Sequence, residues 1–355
     1  MQIGLLGYGT VGRAVDEVIA DKRPGLEVTR ILRRKGKADG PRMTDDIAQI
    51  LSDPGIGIVV ECLPGRDPAL GYIRQALEAG KHVVTSNKAA VAADLGGLLD
   101  LARRKGAMLL FEAACGGGMP VVEAIKKAAR LDAVNAVSGI LNGTCNFILD
   151  KMDRLGESFA TALKTAQELG YAEADPTADI TGADVRNKAI IAASLAFGGA
   201  VASEFPMAGI DTLTDEILAK FMARGKRLRL MMLARREGSS YALGVVPVVY
   251  EAASFEANVR ENFNFARLSC DVVGDLLFYG QGAGGRPTAD AVVQDAISVA
   301  SGTAFLPRLD AKLAYDPSVL SGTGYLQGEA FGRATLEELV EEARRRKAFL
   351  AFEPD

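Results

Sequence analysis

The sequence has a single histidine, His82, and only four cysteines, Cys62, Cys115, Cys145 and Cys270, set far apart. No Cys-x-x-Cys spacing occurs and no histidine stands close by to complete a metal set, so a zinc site is disfavoured. One imidazole far from any cysteine likewise argues against a Ser–His–Asp triad and against an activated thiol. Dispersed thiols suit a reducing cytosol. Charge of one sign is also lacking: 41 basic residues face 45 acidic ones, a formal net charge of −4. Nothing in that balance points to nucleic acid or an anionic membrane. The longest nearly uninterrupted apolar stretch, Ala189 to Ala202, is too short to span a bilayer and contains Gly198-Gly199. Met1-Gln2-Ile3 leads straight into an apolar strand, without the basic start of a signal peptide. A soluble, cytoplasmic protein is expected.

What is present is an ordinary globular composition, 48% hydrophobic and 24% charged over 355 residues, enough for two domains. The first third alternates strand and helix signals. Ile3 to Leu6, Glu27 to Leu32, Gly57 to Glu61, Lys81 to Thr85 and Ala107 to Phe111 read as strands, with helical stretches such as Pro68 to Ala79 between them. That order predicts an open, doubly wound parallel sheet over residues 1–132. The middle differs. Val134 to Leu141 reads as a strand, Thr144 as the cap of a helix through Met152, and Ser158 to Leu169 and Asp184 to Phe197 as further helices. Strands at Val245 to Glu251 and Leu276 to Tyr279 and a helix at Thr288 to Ala300 complete an expected α+β domain over 133–305. The tail, 306–355, reads as irregular apart from a charged helix at Thr335 to Lys347, and packing on the nucleotide domain or the surface is expected for it.

Gly7-x-Gly9-x-x-Gly12 follows the first strand and opens the first helix. In that position the glycines allow a tight turn, close approach of a pyrophosphate, and close helix–strand packing, while the helix amides face the phosphates. The second strand ends in Ile31-Leu32-Arg33-Arg34-Lys35 instead of the carboxylate that binds ribose hydroxyls. Three cations there favour a 2′-phosphate, hence NADP, with NAD as the alternative and a solvated basic loop as the bland one. Lys88, in Thr85-Ser86-Asn87-Lys88, lies just beyond a strand's carboxyl end, where ligands bind in such sheets. Glu112 and Gly116-Gly117-Gly118 fall at the same edge, as a cation-holding turn or simply a flexible one.

Between Glu173 and Lys188 the chain packs four carboxylates, Glu173, Asp175, Asp179 and Asp184, and one lysine. Asp184 and Lys188 share a helix face, and the helix beyond them is apolar nearly all round. A lysine at the mouth of a buried helix must be paired or shifted in pKa. Structural ion pair and catalytic pair are equally open on these grounds.

Together these residues resemble homoserine dehydrogenase. Ala166, Gly170, Asp175-Pro176, Asp179, Gly182, Asp184 and Lys188 match that family's signature, supported by Thr85-Ser86-Asn87-Lys88-Ala89, Gly139-Ile140-Leu141-Asn142-Gly143-Thr144 and Gly282-Ala283-Gly284. The resemblance runs from residue 3 to about 300. It implies an α/β fold, with an N-terminal Rossmann-type sheet and a second α+β domain for substrate and dimerisation. It implies interconversion of L-aspartate 4-semialdehyde and L-homoserine with NAD(P)H, on the way to threonine and methionine, in a homodimer. By position, Lys188, Lys88 and Asp184 would be catalytic, and Glu173, Asp184 and Asp179 would bind substrate. Gly7, Gly9, Thr10, Val11, Gly12, Arg33, Arg34, Lys88, Gly170, Gly282 and Ala283 would hold the cofactor. Glu112, Cys115, Gly117 and Met119 would hold a monovalent cation such as Na+, three of them through carbonyl oxygens. The tail shows no pattern for the family's regulatory domain, so a short form is expected. The competing readings are another NADP-dependent reductase of a small semialdehyde or oxo acid, or a non-catalytic NADP-binding sensor.

Overall fold

In the computed structural model, which describes residues 1–37 and 39–355, the chain divides into two units. The first comprises Met1–Ala124 and Ala283–Leu309, the second Ile125–Gly282 and Asp310–Asp355.

The first unit is built on short strands of branched apolar residues, buried on both faces as a parallel sheet requires. They are β1 (Gln2–Leu6), β2 (Glu27–Leu32), β3 (Met43–Thr44), β4 (Ile56–Glu61), β5 (His82–Thr85) and β6 (Leu109–Leu110). Their order is β3-β2-β1-β4-β5-β6, and the pairings β1–β2 and β1–β4 are parallel. The order reverses at β1, which places the switch point of the sheet at the glycine turn that follows it. Helix Thr10–Lys22 buries Val15, Val18 and Ile19 in a core shared with Ala289, Val292 and Ala296. Those three belong to helix Gly285–Ala300, which returns to this unit from far along the chain. The expected 133–305 domain therefore loses its last stretch, because that helix buries an apolar face here. The two-residue β3, with too little pattern to be read, had no counterpart in the expectation.

The second unit holds a nine-stranded sheet. Its strands are β7 (Val134–Ile140), β8 (Lys226–Glu237), β9 (Ser240–Glu251), β10 (Phe263–Cys270), β11 (Gly274–Gln281), β12 (Ala314–Tyr315), β13 (Ser321–Leu326), β14 (Glu329–Thr335) and β15 (Leu350–Pro354). They run β11-β10-β7-β8-β9-β15-β13-β14, with β12 beside β9. From Asp310 onward the tail is ordered as strands and a helix of the second unit, and is not irregular, whereas residues 306–309 belong to the first. Its glycine-bearing strand Ser321–Leu326 hides the alternation from the sequence, and its charged helix, Leu336–Arg346, buries Leu336, Leu339, Val340 and Ala343 against the sheet. Thr335 caps that helix in a reciprocal capping box with Glu338. Helix Gly143–Leu155 is capped by Asn142, not by Thr144: Asn142 has the extended backbone of an N-cap and its side chain accepts from the Cys145 amide.

Candidate active site

In the first unit β1 ends at Gly7, whose φ of +93° suits only glycine and whose Cβ would press on the Cys62 carbonyl oxygen. A Cβ on Gly12 would collide with the Gly7 carbonyl oxygen, so strand, turn and helix close up only without side chains there. Gly9 borders open space. Helix Thr10–Lys22 starts with no side-chain cap and no acid in its first turn, leaving its amides to an outside acceptor. Gly7, Gly9, Thr10, Val11 and Gly12 are therefore brought together in a cradle that fits a pyrophosphate. Arg33 leaves the end of β2 half-buried, its guanidinium 5.8 Å from the centroid of the Tyr8 ring, whereas Arg34 is exposed.

At the ends of β4 and β5 a buried carboxylate organises the turn before Lys88. Glu61 accepts from the Leu63 amide and from the Thr85 hydroxyl, each at 2.6 Å. Burial pushes its carboxyl above the ordinary value. Asn87 donates to the carbonyls of Leu63 and Gly65, and its oxygen caps helix Lys88–Ala93 by accepting from Ala89 and Ala90. Lys88 is thereby fixed as the first residue of that helix. Sequence reasoning missed Glu61, which closes an apolar strand and carries no motif of its own.

Glu112 is buried and accepts from the amides of Val122 and Glu123, while its own amide donates to Asp295. Burial and the neighbouring Asp295 push its carboxyl up to about 8. Cys115, Gly117 and Met119 follow on the same turn, and the Met119 carbonyl accepts from Val121. Among the described residues no three or more His, Cys, Asp or Glu side chains gather to hold a metal ion.

The second unit assembles the polar cluster. Helix Ala183–Phe197 is buried from Ala189 onward, and its first turns carry Asp184 and Lys188. The Lys188 ammonium donates to Asp184 Oδ2 at 2.8 Å and to the Leu141 carbonyl at 2.6 Å. Both side chains are mostly covered, at 12% and 20% exposure, so the pair is neither a solvated surface contact nor sealed from a ligand. Asn142 donates to Asp179 Oδ1 at 2.7 Å and to Asp184 Oδ2 at 3.2 Å, joining both acids to the end of β7. Thr144 donates to the Tyr171 carbonyl, and the Cys145 thiol to the Asp179 carbonyl, so the loop bearing the acids is tied down twice.

Asp179, Asp184 and Lys188 are thus gathered, and Asn142, named from sequence only within the Gly139 to Thr144 match, is the hub. Glu173 is not drawn into them: it is exposed, and its backbone carbonyl accepts from Gln167. Gly170 ends helix Phe159–Glu168 with φ +75°, which accounts for the glycine structurally. Gly282 follows β11, and Ala283 begins the segment that returns to the first unit. His82 opens β5 and accepts the Met108 amide at 2.9 Å through Nδ1, a structural role.

Comparison with known proteins bears on this arrangement. The family model described as homoserine dehydrogenase matches residues 120–297, and that of the homoserine dehydrogenase NAD binding domain matches residues 7–112. The homoserine dehydrogenase of Pseudomonas aeruginosa is 39% identical over 314 residues, covering 84% of this chain and 72% of that protein. The one from Bacillus subtilis is 35% identical with the same coverage. Among solved structures, a homoserine dehydrogenase from Thiobacillus denitrificans superposes with a TM-score of 0.84 at 35% identity, covering 92% of this chain and 82% of that one. A hyperthermophilic archaeal homoserine dehydrogenase in complex with NADPH has a TM-score of 0.74 at 26% identity, covering 86% and 99% respectively.

Proposed function

The chain belongs to the homoserine dehydrogenase family of NAD(P)-dependent oxidoreductases, and from that premise we propose that it interconverts L-aspartate 4-semialdehyde and L-homoserine, with NADP preferred. The observation that carries the reading is the cluster of Asp179, Asp184 and Lys188 around Asn142. When bound, the nicotinamide cofactor supplies or accepts the hydride. In the reducing direction the substrate oxygen gains charge, and Lys188 is the group that stabilises it and delivers the proton. Asp184 and the Leu141 carbonyl fix the direction of that ammonium before any substrate arrives, so little reorganisation accompanies the reaction. Asp179 and Asp184 are suited to the substrate's ammonium and hydroxyl groups, and the exposed Glu173 carboxylate is available to the same amino group. Lys88 adds a second cation from the edge of the sheet.

In the first unit Gly7, Gly9, Thr10, Val11 and Gly12 hold the pyrophosphate, with Gly170, Gly282 and Ala283 as further cofactor contacts. The 2′-phosphate falls to Arg33 and Arg34, since no carboxylate follows β2 to take a bare ribose. A monovalent cation such as Na+ fits the hard oxygens near Glu112, with the carbonyls of Cys115, Gly117 and Met119, because burial of the Glu112 carboxyl is a cost that a cation would relieve. A homodimer in the cytoplasm, serving amino-acid biosynthesis, completes the reading.

The test is NADPH consumption with L-aspartate 4-semialdehyde. Lys188→Ala is expected to lower kcat by about 10²–10⁴-fold, the usual worth of a positioned proton donor, with NADPH affinity within about twofold of the parent. Undiminished turnover would remove Lys188 from the chemistry. Activity with other semialdehydes or oxo acids, and none with this one, would overturn the substrate.

A further inference from the structure

Tyr8 stands inside the glycine turn, between Gly7 and Gly9, where a small residue would satisfy every backbone requirement. Its side chain is half-buried and engages two elements of the first unit. The guanidinium of Arg33, from the end of β2, lies 5.8 Å from the ring centroid, and that of Arg13, from the first turn of the following helix, lies 5.9 Å from it. Arg13 Nε also donates to the Tyr8 carbonyl at 3.2 Å. The hydroxyl donates to Asp16 Oδ2 at 2.8 Å. Asp16 is in turn gripped by both terminal nitrogens of Arg42 at 2.9 Å, and Arg42 donates to the Val28 carbonyl within β2. The ring is therefore tethered to the strand that delivers Arg33.

Two consequences follow from elementary electrostatics. An aromatic face attracts a guanidinium through its quadrupole, so Tyr8 collects two otherwise flexible cations beside the glycine turn. Asp16, the one acid in the network, has its charge matched by Arg42, so it holds the hydroxyl without opposing an incoming phosphate.

We infer that Tyr8 is a positioning residue for cofactor discrimination: its ring, locked by Asp16 and Arg42, presets Arg33 and Arg13 for the 2′-phosphate of NADP. This rests on the assignment of the 2′-phosphate to Arg33. A side chain so arranged lowers the ordering cost of binding chiefly for the phosphorylated cofactor, because at that position NAD offers the guanidinium a neutral hydroxyl and no charge.

The experiment measures binding of NADPH, NADH, 2′,5′-ADP and 5′-AMP to the full chain by calorimetry, for Tyr8→Leu, Tyr8→Phe, Arg33→Ala and the Tyr8→Leu/Arg33→Ala pair. Tyr8→Leu is expected to weaken NADPH and 2′,5′-ADP by about three- to tenfold, with NADH and 5′-AMP changed less than about twofold. Tyr8→Phe, which keeps the ring and cuts the tether, should show the same selectivity at about half that loss on a logarithmic scale. The pair should bind NADPH more tightly than the product of the two single losses would give, since Tyr8 acts in part through Arg33 and only the remainder passes through Arg13. Equal losses for both cofactors in Tyr8→Leu, no loss at all, or full additivity with Arg33→Ala would overturn the inference. Arg33→Ala separates the two levels: if it is selective for the phosphorylated ligands and Tyr8→Leu is not, only the Tyr8 inference fails. If Arg33→Ala weakens both cofactors alike, the 2′-phosphate assignment fails and takes the inference with it.

Discussion

At Asn142 one amide side chain serves both helix and site. Its oxygen caps helix Gly143–Leu155 through the Cys145 amide, and its nitrogen donates to Asp179 and Asp184. Asn142→Asp keeps a good cap but replaces that donor with a third negative charge. We expect kcat/KM for the semialdehyde to fall by more than about tenfold, with the helix retained by circular dichroism. An unaltered kcat/KM would mean that the hub is purely structural. His82 gives a prediction in pH. Burial lowers its pKa below the ordinary value, and its Nδ1 must stay unprotonated to accept the Met108 amide. As pH falls from about 7 to about 5, the unfolded chain takes up the proton first, so stability is lost in that window. The buried Glu61 and Glu112, whose pKa values are raised, act in the opposite sense, gaining stability as pH falls. His82→Asn retains an acceptor without a titration, so denaturant melts at several pH values should show the variant gaining on the parent as pH falls. Parallel pH curves would refute this. Lys188 and Asp184 were legible in the sequence because helical spacing alone puts them on one face. Asn142 and Glu61 were not, since an Asn-Gly pair and a strand-ending acid acquire their roles only from partners distant in the chain.

Elements were legible where pattern and boundary signals agreed. The strands of the first sheet and the glycine turn are of this kind, being short apolar runs bracketed by helices. Substituting Gly12→Ala should weaken NADPH binding by at least roughly tenfold, because the new methyl group would strike backbone at Gly7 and cannot be relieved by a rotamer change; affinity near the parent's would show that turn and helix need not pack so closely. The long hairpin of Lys226–Glu237 and Ser240–Glu251 was only half seen, because arginines punctuate its first strand. One of them, Arg229, is wholly buried on Asp153 at 2.6 Å, a pairing that no local pattern announces. The charged helix near the C-terminus has its explanation in Leu339, which is 1% exposed. Leu339→Ala should cost about 2–4 kcal/mol by urea unfolding, with kcat unaffected; a loss under about 0.5 kcal/mol would mean the helix is peripheral to that core.

Over the whole molecule, the first unit is discontinuous: helix Gly285–Ala300 completes a core that begins at Ile3. Sequence order concealed this, since a helix following β11 reads naturally as part of the domain before it. Ala296 is fully buried in that core, and Ala296→Asp would place an unpaired carboxylate there. We expect a loss of about 3 kcal/mol or more and a matching fall in NADPH-induced thermal stabilisation, although the substitution lies far in sequence from the glycine turn. Retained stabilisation by NADPH would show that the returning helix is dispensable. The same arrangement sets a timetable during synthesis. A nucleotide fold of contiguous chain can close as soon as its last strand leaves the ribosome. Here the nascent β1 and its helix must wait, apolar flank uncovered, while about 160 further residues are translated between the two segments, and those residues build most of a second sheet in the meantime. We expect early chaperone engagement, released only when the returning helix emerges, as the cellular cost of that threading.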